Sequence, residues 1–303
     1  MLSEIFYWVF NMSIIGSVVG VIILALRKVK GLPVFITYAL WVIPLFRLWI
    51  PFGVANKYSL LNLLSQLTTK TIVIRSVKPE LTMTNSIMAA DSYFPIGYKT
   101  DMLAKIFDFA SVIWIIIATA AILSAALLYK YTKSELKNIE HIRDNIYTSE
   151  KITSPAVYGV IRPKIIIPAV MTDKDMDYVI LHEQVHVKRK DNLFRLIAVI
   201  TSCVHWFNPL SWLFLKYFFE DMEITCDLKV LKHLNKQQAN GYANAILSCA
   251  SGKAFFSSQF GGAKVRVRIE NILSYKKLTL FSSFIFGVFA VALAVVLITN
   301  AAG

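Results

Sequence analysis

The sequence is short of charge. Only 17% of its 303 residues are Asp, Glu, Lys or Arg, where a soluble domain carries about 25%, while 56% are hydrophobic and the mean hydropathy is +0.57. That shortage excludes an ordinary water-soluble fold. Acids are scarcer than bases, 19 against 32, for a net charge of +13. Such an excess invites a nucleic-acid reading, but a chain this apolar is first of all a membrane protein. Cysteine is scarce too. Cys203, Cys226 and Cys249 are an odd number without the close spacing of a zinc knuckle or redox pair, so no disulfide framework is implied. That suits a reducing compartment.

Long apolar runs are what the sequence has instead. About 20 residues are needed to cross the hydrocarbon core as a helix, and four stretches qualify: 5–26, 32–50, 106–129 with its apolar centre at Phe109 to Leu128, and 278–298. The first is no cleavable signal peptide, because Glu4 precedes it and Arg27, Lys28 and Lys30 follow it, the reverse of a basic leader. Residues 1–50 therefore read as a transmembrane hairpin. Twelve Lys and Arg flank the spans on one side, from Arg27 to Lys30, Lys130 to Arg143 and Lys264 to Lys277; the other side has Lys57, Lys99 and Lys105, with Arg47 at a helix edge. The positive-inside rule then places both termini outside, 51–105 as an external loop, 130–277 in the cytosol, and 278–303 as the fourth span with a short external tail. Between Lys130 and Lys277 there are 22 bases against 14 acids. That excess fits an anionic inner leaflet better than a nucleic-acid groove, so direct nucleic-acid binding is not expected. The loop's Thr71 to Val77 run fits a strand pair or an amphipathic segment equally well.

The chemistry lies in the cytosolic part. Thr172 to Leu181 reads as a helix start, with a hydroxyl cap, acids in the first turn and then apolar positions at helical spacing. It runs into His182-Glu183-Gln184-Val185-His186. In this H-E-x-x-H pattern the i and i+4 imidazoles share one helix face and can bind zinc, with the Glu beside the fourth coordination position. A catalytic zinc needs a third protein ligand. The metzincin solution fails because Arg189 and Asn192 stand where Gly and His would be, and His205, Glu220, Asp221, Glu223, Cys226, Asp227 and His233 remain as candidates. Glu223 to Asp227 is the attractive pair: an E-x-x-x-D on a helix lets one carboxylate ligate while the other accepts the N–H of a ligand histidine. Cys226 reads as a small buried residue, His205 as an interior histidine, and His141 and His233 as surface residues.

The apolar stretch 193–219 is long enough to cross a membrane, but crossing would put Glu223 on the side opposite His182 and His186. It is expected to be re-entrant or interfacial, broken at Asn208-Pro209. The site then sits at the cytosolic boundary of the membrane. Val160 to Ile167 has strand character, and Pro163 within it predicts an edge strand. Ser248 to Lys264, small and flexible with three Phe, is a candidate for self-cleavage or a plain linker. An oxyanion donor is not singled out; Tyr242 is one candidate, and equally a packing tyrosine.

Four strings, in order, carry a resemblance: Ser154 to Pro168 (SPAVYGVIRPKIIIP), the H-E-x-x-H helix followed by Asp191, the run His205-Trp206-Phe207-Asn208-Pro209, and Glu223 to Asp227 as E-x-x-C-D. Together they resemble the BlaR/MecR-type membrane zinc metallopeptidases, bacterial sensor-transducers that induce beta-lactam resistance. The resemblance implies a mainly α membrane protein with four transmembrane helices. Between spans three and four it implies a cytosolic gluzincin-like zinc metallopeptidase domain, α with a small β-sheet. It implies one Zn2+ per chain held by His182, His186 and Glu223, with Glu183 as general base and Asp227 left to support a ligand histidine. It also implies signalling by proteolysis at the bacterial plasma membrane: cleavage of the chain's own loop, and inactivation, directly or indirectly, of a BlaI/MecI-type repressor. A second copy of the chain is a further candidate partner. Those transducers carry an external penicillin-binding sensor domain after the fourth span, and here the sequence stops at Gly303, so the expectation is a relative or part without that domain. Two other classes stay open: a housekeeping membrane protease of the HtpX/Ste24 type, and a non-catalytic receptor with structural zinc.

Overall fold

The computed structural model describes residues 1–29, 31–50, 55–56, 59, 101–136, 139–169, 171, 173–251, 265–275 and 280–301. The Thr71 to Val77 run, Thr172, and residues 252–264 of the candidate self-cleavage stretch lie outside them. In chain order the elements are α1 (Leu2–Arg27), α2 (Val34–Leu40), α3 (Val42–Trp49), β1 (Ala55–Asn56), α4 (Asp101–Glu135), β2 (Glu140–Arg143), β3 (Ile146–Ser149), β4 (Ala156–Tyr158) and β5 (Lys164–Pro168). There follow α5 (Asp173–Arg189), α6 (Asp191–Val204), α7 (Pro209–Leu231), α8 (Lys236–Ser251), α9 (Val265–Leu273), α10 (Leu280–Ile298) and β6 (Asn300–Ala301). The fold is mainly helical with a small mixed sheet. The chain divides into two compact units, residues 1–120, 203–211 and 279–303 in one, and 121–202 and 212–278 in the other.

Among the described residues, two helical stretches are long and apolar enough to cross a membrane: Leu2–Arg27 in the first unit, and Lys105–Ser134, which runs from the first unit into the second. Large apolar side chains stand outward on α4 and α10, among them Phe109, Ile116, Phe281, Phe284 and Val291. Large apolar side chains exposed in such number fit contact with lipid better than contact with water. The second expected span is not one helix: it is broken at Trp41 into α2 and α3. Pro44 is the physical reason, since it has no N–H for the Leu40 carbonyl and its ring clashes with that carbonyl. α3 packs on α1, where Gly16 makes room: a Cβ there would stand 2.7 Å from Leu48 Cγ. Arg47, the charge within the second apolar run, is buried and donates from Nε to Leu297 O at 3.1 Å and from Nη2 to Thr299 O at 2.8 Å, carbonyls that the end of α10 leaves without helical partners. The apolar stretch 193–219 does break where expected, α6 ending at Val204 and α7 beginning at Pro209. Asn208 caps α7 by accepting from Leu210 N–H and donates to Ser13 Oγ and Ser17 Oγ of α1. His205 is fully buried and lies 3.1 Å from Leu48 O, an interior histidine.

The second unit has a four-stranded sheet in the order β2-β3-β5-β4, with β3 and β5 parallel and the outer pairings antiparallel. The predicted edge strand is therefore corrected: β5 is an inner strand, and β4 is an edge. Pro163 sits one residue before β5, in the turn that Gly159 (φ 94°) opens, so its missing N–H removes nothing from the ladder. Ile146, Ile165 and Ile167 of the sheet form one apolar cluster with Ile180 of α5. A second cluster joins Val230 and Leu231 of α7, Tyr242 and Ile246 of α8 and Ile272 of α9, with Leu181 and Val185 of α5 packed against it. α5 thus has apolar packing on two sides, which fixes its rotation and the face on which its histidines lie.

Candidate metal centre

His182 and His186 are one turn apart on α5, both buried, with their Nε2 atoms 3.1 Å apart. The Nδ1 atoms point away, each to its own partner. α5 ends at Arg189, Lys190 takes a left-handed conformation (φ 56°), and Asp191 opens α6. That one-residue corner returns the Asp191 carboxylate to His186, Oδ2 to Nδ1 at 2.6 Å. His182 Nδ1 lies 2.7 Å from the Tyr242 hydroxyl of α8, which donates its proton to Asp227 Oδ1 of α7; Asp227 also approaches Nδ1 directly, at 3.3 Å.

These partners decide the protons. Asp191 only accepts, and the Tyr242 proton is committed to Asp227, so both Nδ1 atoms are donors and Nε2 is the position on each ring that a proton or a metal ion can take. Nε2 atoms 3.1 Å apart face each other without repulsion only when a proton or a metal ion lies between them. Glu223 of α7 adds an oxygen 3.5 Å from His182 Nε2 and another 3.6 Å from His186 Nε2. Two imidazole nitrogens and a carboxylate converging on one point fit a zinc-type ion, with the histidines held from behind as ligand histidines are. Burial opposes charge on His182 and His186, yet Cys226, with Tyr242 and Asp227 at one ring and Glu223 and Asp191 at the other, outweighs it and holds both well above the usual imidazole value. Burial pushes Glu223 up, and His186, His182 and Arg195 more than reverse this. The centre favours positive charge.

All the expected site residues except Glu183 appear in these contacts, and Glu183 is buried on α5 itself. Cys226, read from sequence as a bystander, places its sulfur with the histidines: the ligand atoms of His182, His186 and Cys226 lie within 4.8 Å of one another. Its Sγ also stands 3.4 Å from the His182 carbonyl, where α5 and α7 pack. Tyr242, from sequence one candidate for an oxyanion donor and equally a packing tyrosine, places its hydroxyl on the Nδ1 side of His182 and supports that ring. His141 and His233 are exposed, as expected of surface residues, and the His205 ring meets Leu48 O and Phe207. Sequence reasoning missed two arginines. Arg195 of α6 meets Glu223, and Arg268 of α9 grips Asp227 with Nε at 2.8 Å and Nη2 at 2.7 Å. Burial pushes the Asp227 carboxyl up, but Arg268 and His182 bring it down to about 2. Arg268 lies 86 residues from His182 and Tyr242 lies 60; no local spacing marks either.

A family model described as BlaR1 peptidase M56 matches residues 7–272. Among curated proteins, the chain is 36% identical over 148 residues to "Regulatory protein BlaR1" of Bacillus licheniformis, an alignment covering 48% of this chain and 24% of that protein. It is 37% identical over 106 residues to "Methicillin resistance mecR1 protein" of Staphylococcus aureus, covering 34% and 18%. It is 29% identical over 214 residues to "Regulatory protein BlaR1" of Staphylococcus aureus, covering 59% and 37%. The matched region is thus well under half the length of each relative.

Proposed function

The chain belongs to the BlaR1 peptidase M56 family, and from that premise we propose that it is a membrane zinc endopeptidase that transduces a signal by proteolysis. The observation that carries this is the pair of buried Nε2 atoms 3.1 Å apart on the H-E-x-x-H helix, with the Glu223 carboxylate beside both. His182, His186 and Glu223 would hold one Zn2+. The chemistry a zinc bound there would supply is a water of lowered pKa, about 7, and polarisation of the scissile carbonyl. Glu183 takes the proton of the attacking water and delivers it to the leaving amine. Asp191, and Asp227 through Tyr242, keep both imidazoles in the Nδ1–H tautomer, while Arg195 offsets the charge of Glu223.

The name BlaR1, and the methicillin-resistance name of a second relative, support a regulatory substrate. We place the protein in the bacterial plasma membrane with four spans, both termini outside and residues 130–277 cytosolic. Its substrates are its own chain and a BlaI/MecI-type repressor, whose loss induces resistance or cell-wall-stress genes. A second reading, a structural metal held by His182, His186 and Cys226, is favoured by the sulfur's position within that group.

The test is cleavage by the full-length chain in detergent, of itself and of an added repressor. The account expects cleavage that a chelator stops and that Glu183→Gln lowers by about 10²–10⁴-fold. Unchanged proteolysis in Glu183→Gln removes the enzyme reading. A chain that binds zinc and never cleaves favours the structural one.

A further inference from the structure

Arg268 has no role in the mechanism above, yet its guanidinium meets three residues of the centre. Besides its two bonds to Asp227, its Nη1 lies 3.5 Å from Glu223 Oε2 and its Nη2 lies 3.4 Å from His182 Nε2. The carboxylate it grips is completely buried, and a buried carboxylate without a counter-ion is strongly disfavoured. A two-pronged guanidinium fixes the plane of such a group as well as its charge, which a lysine cannot do. Asp227 so fixed accepts the hydrogen bond that the Tyr242 hydroxyl donates, and Tyr242 is then free only to accept from His182 Nδ1. The chain Arg268, Asp227, Tyr242, His182 thus draws on α9, α7, α8 and α5. α9 is seated for this by Val265, Ile272 and Tyr275, which belong to the apolar cluster around Tyr242 and Val230. Arg195 is more exposed and contacts Glu223 and the Met222 sulfur instead.

We propose that Arg268 is a positioning residue of the metal centre: by fixing the Asp227 carboxylate it sets, through the Tyr242 hydroxyl, the tautomer and orientation in which His182 presents Nε2. The inference rests on the metal-centre reading given above, and predicts that a short helix contributed from beyond residue 264 determines how well His182 binds. The contacts of Arg268 with Asp227, at 2.7 and 2.8 Å, are shorter than those with His182 Nε2 and Glu223, at 3.4 and 3.5 Å, so Arg268 acts chiefly through that carboxylate.

The experiment is titration of the full-length chain in detergent with cobalt(II) as probe, reading affinity against a competing chelator and the visible spectrum of the bound ion. Arg268→Gln is expected to weaken binding by about tenfold to a hundredfold and to alter the spectrum. Arg268→Lys recovers part of the loss, since it restores charge without the fork. Added to Asp227→Asn, Arg268→Gln costs little more, because both act on one link. Arg266→Gln, an exposed neighbour on α9 paired with Glu270, leaves affinity and spectrum unchanged. Wild-type affinity and spectrum in Arg268→Gln overturn the proposal, as does a loss fully additive with that of Asp227→Asn. Should Arg268→Gln fail to fold, wild-type affinity in Arg268→Lys overturns it. If the wild-type chain itself binds no cobalt, the metal-centre reading fails instead.

Discussion

The two histidines of α5 are held by different kinds of structure. His186 is supported from next door: the corner at Lys190 brings Asp191, five residues on, to its Nδ1. His182 is supported by assembly, through Tyr242, Asp227 and Arg268 from three separate helices. A local support needs only α5 and its exit turn. An assembled one exists only when α7, α8 and α9 are docked, so the His182 half of the centre reports on the packing of the whole unit. It is also redundant, since Asp227 lies 3.3 Å from the same Nδ1 that Tyr242 meets.

That contrast orders the expected effects on metal binding. Asp191→Asn replaces the carboxylate at His186 and is expected to weaken zinc by up to about 100-fold. Tyr242→Phe removes one of two neighbouring acceptors at His182, and about tenfold is expected; competition with a fluorescent chelator measures both. A larger loss from Tyr242→Phe than from Asp191→Asn breaks the comparison.

Acid should act on the assembled side. The Asp227 carboxyl titrates at about 2 in the folded chain, below its usual value of 3.8, with Arg268 the main charge holding it down. A carboxyl depressed by folding contributes stability above its unfolded pKa, and that contribution is lost as pH falls through the folded one. The metal-free protein should therefore lose about 2 kcal/mol between pH 4 and 2 from this group. Thermal unfolding against pH should show the decline flattened in Asp227→Asn.

The smallest effect on metal is expected from the other unit. Gly16→Ala pushes a Cβ against Leu48 and should lower thermal stability by about 1–3 kcal/mol while leaving zinc affinity as in wild type. Weaker zinc binding in that variant would show that the metal centre depends on α1 packing.

The same contrast explains what was legible in the sequence. The histidine pair, the Glu223 to Asp227 spacing and the break before Pro209 are readable because each is a property of one helix or one turn. Asp191 was in view as part of a motif, although its contact with His186 needed the corner at Lys190. Tyr242 and Arg268 were not legible: an ordinary tyrosine and one arginine of 32 bases acquire meaning only when α8 and α9 dock. Two details differ from expectation for a related reason. Pro163 stands just ahead of β5 rather than inside a strand, and Pro44, six residues before the end of the 32–50 apolar run, interrupts its helix.

The most direct test of the central claim is X-ray absorption at the zinc edge on the metal-loaded, full-length chain. The account predicts two imidazole nitrogens at about 2.0–2.1 Å with oxygen completing the shell and no sulfur. A sulfur scatterer at about 2.3 Å, lost in Cys226→Ser, would contradict it and assign the metal to His182, His186 and Cys226.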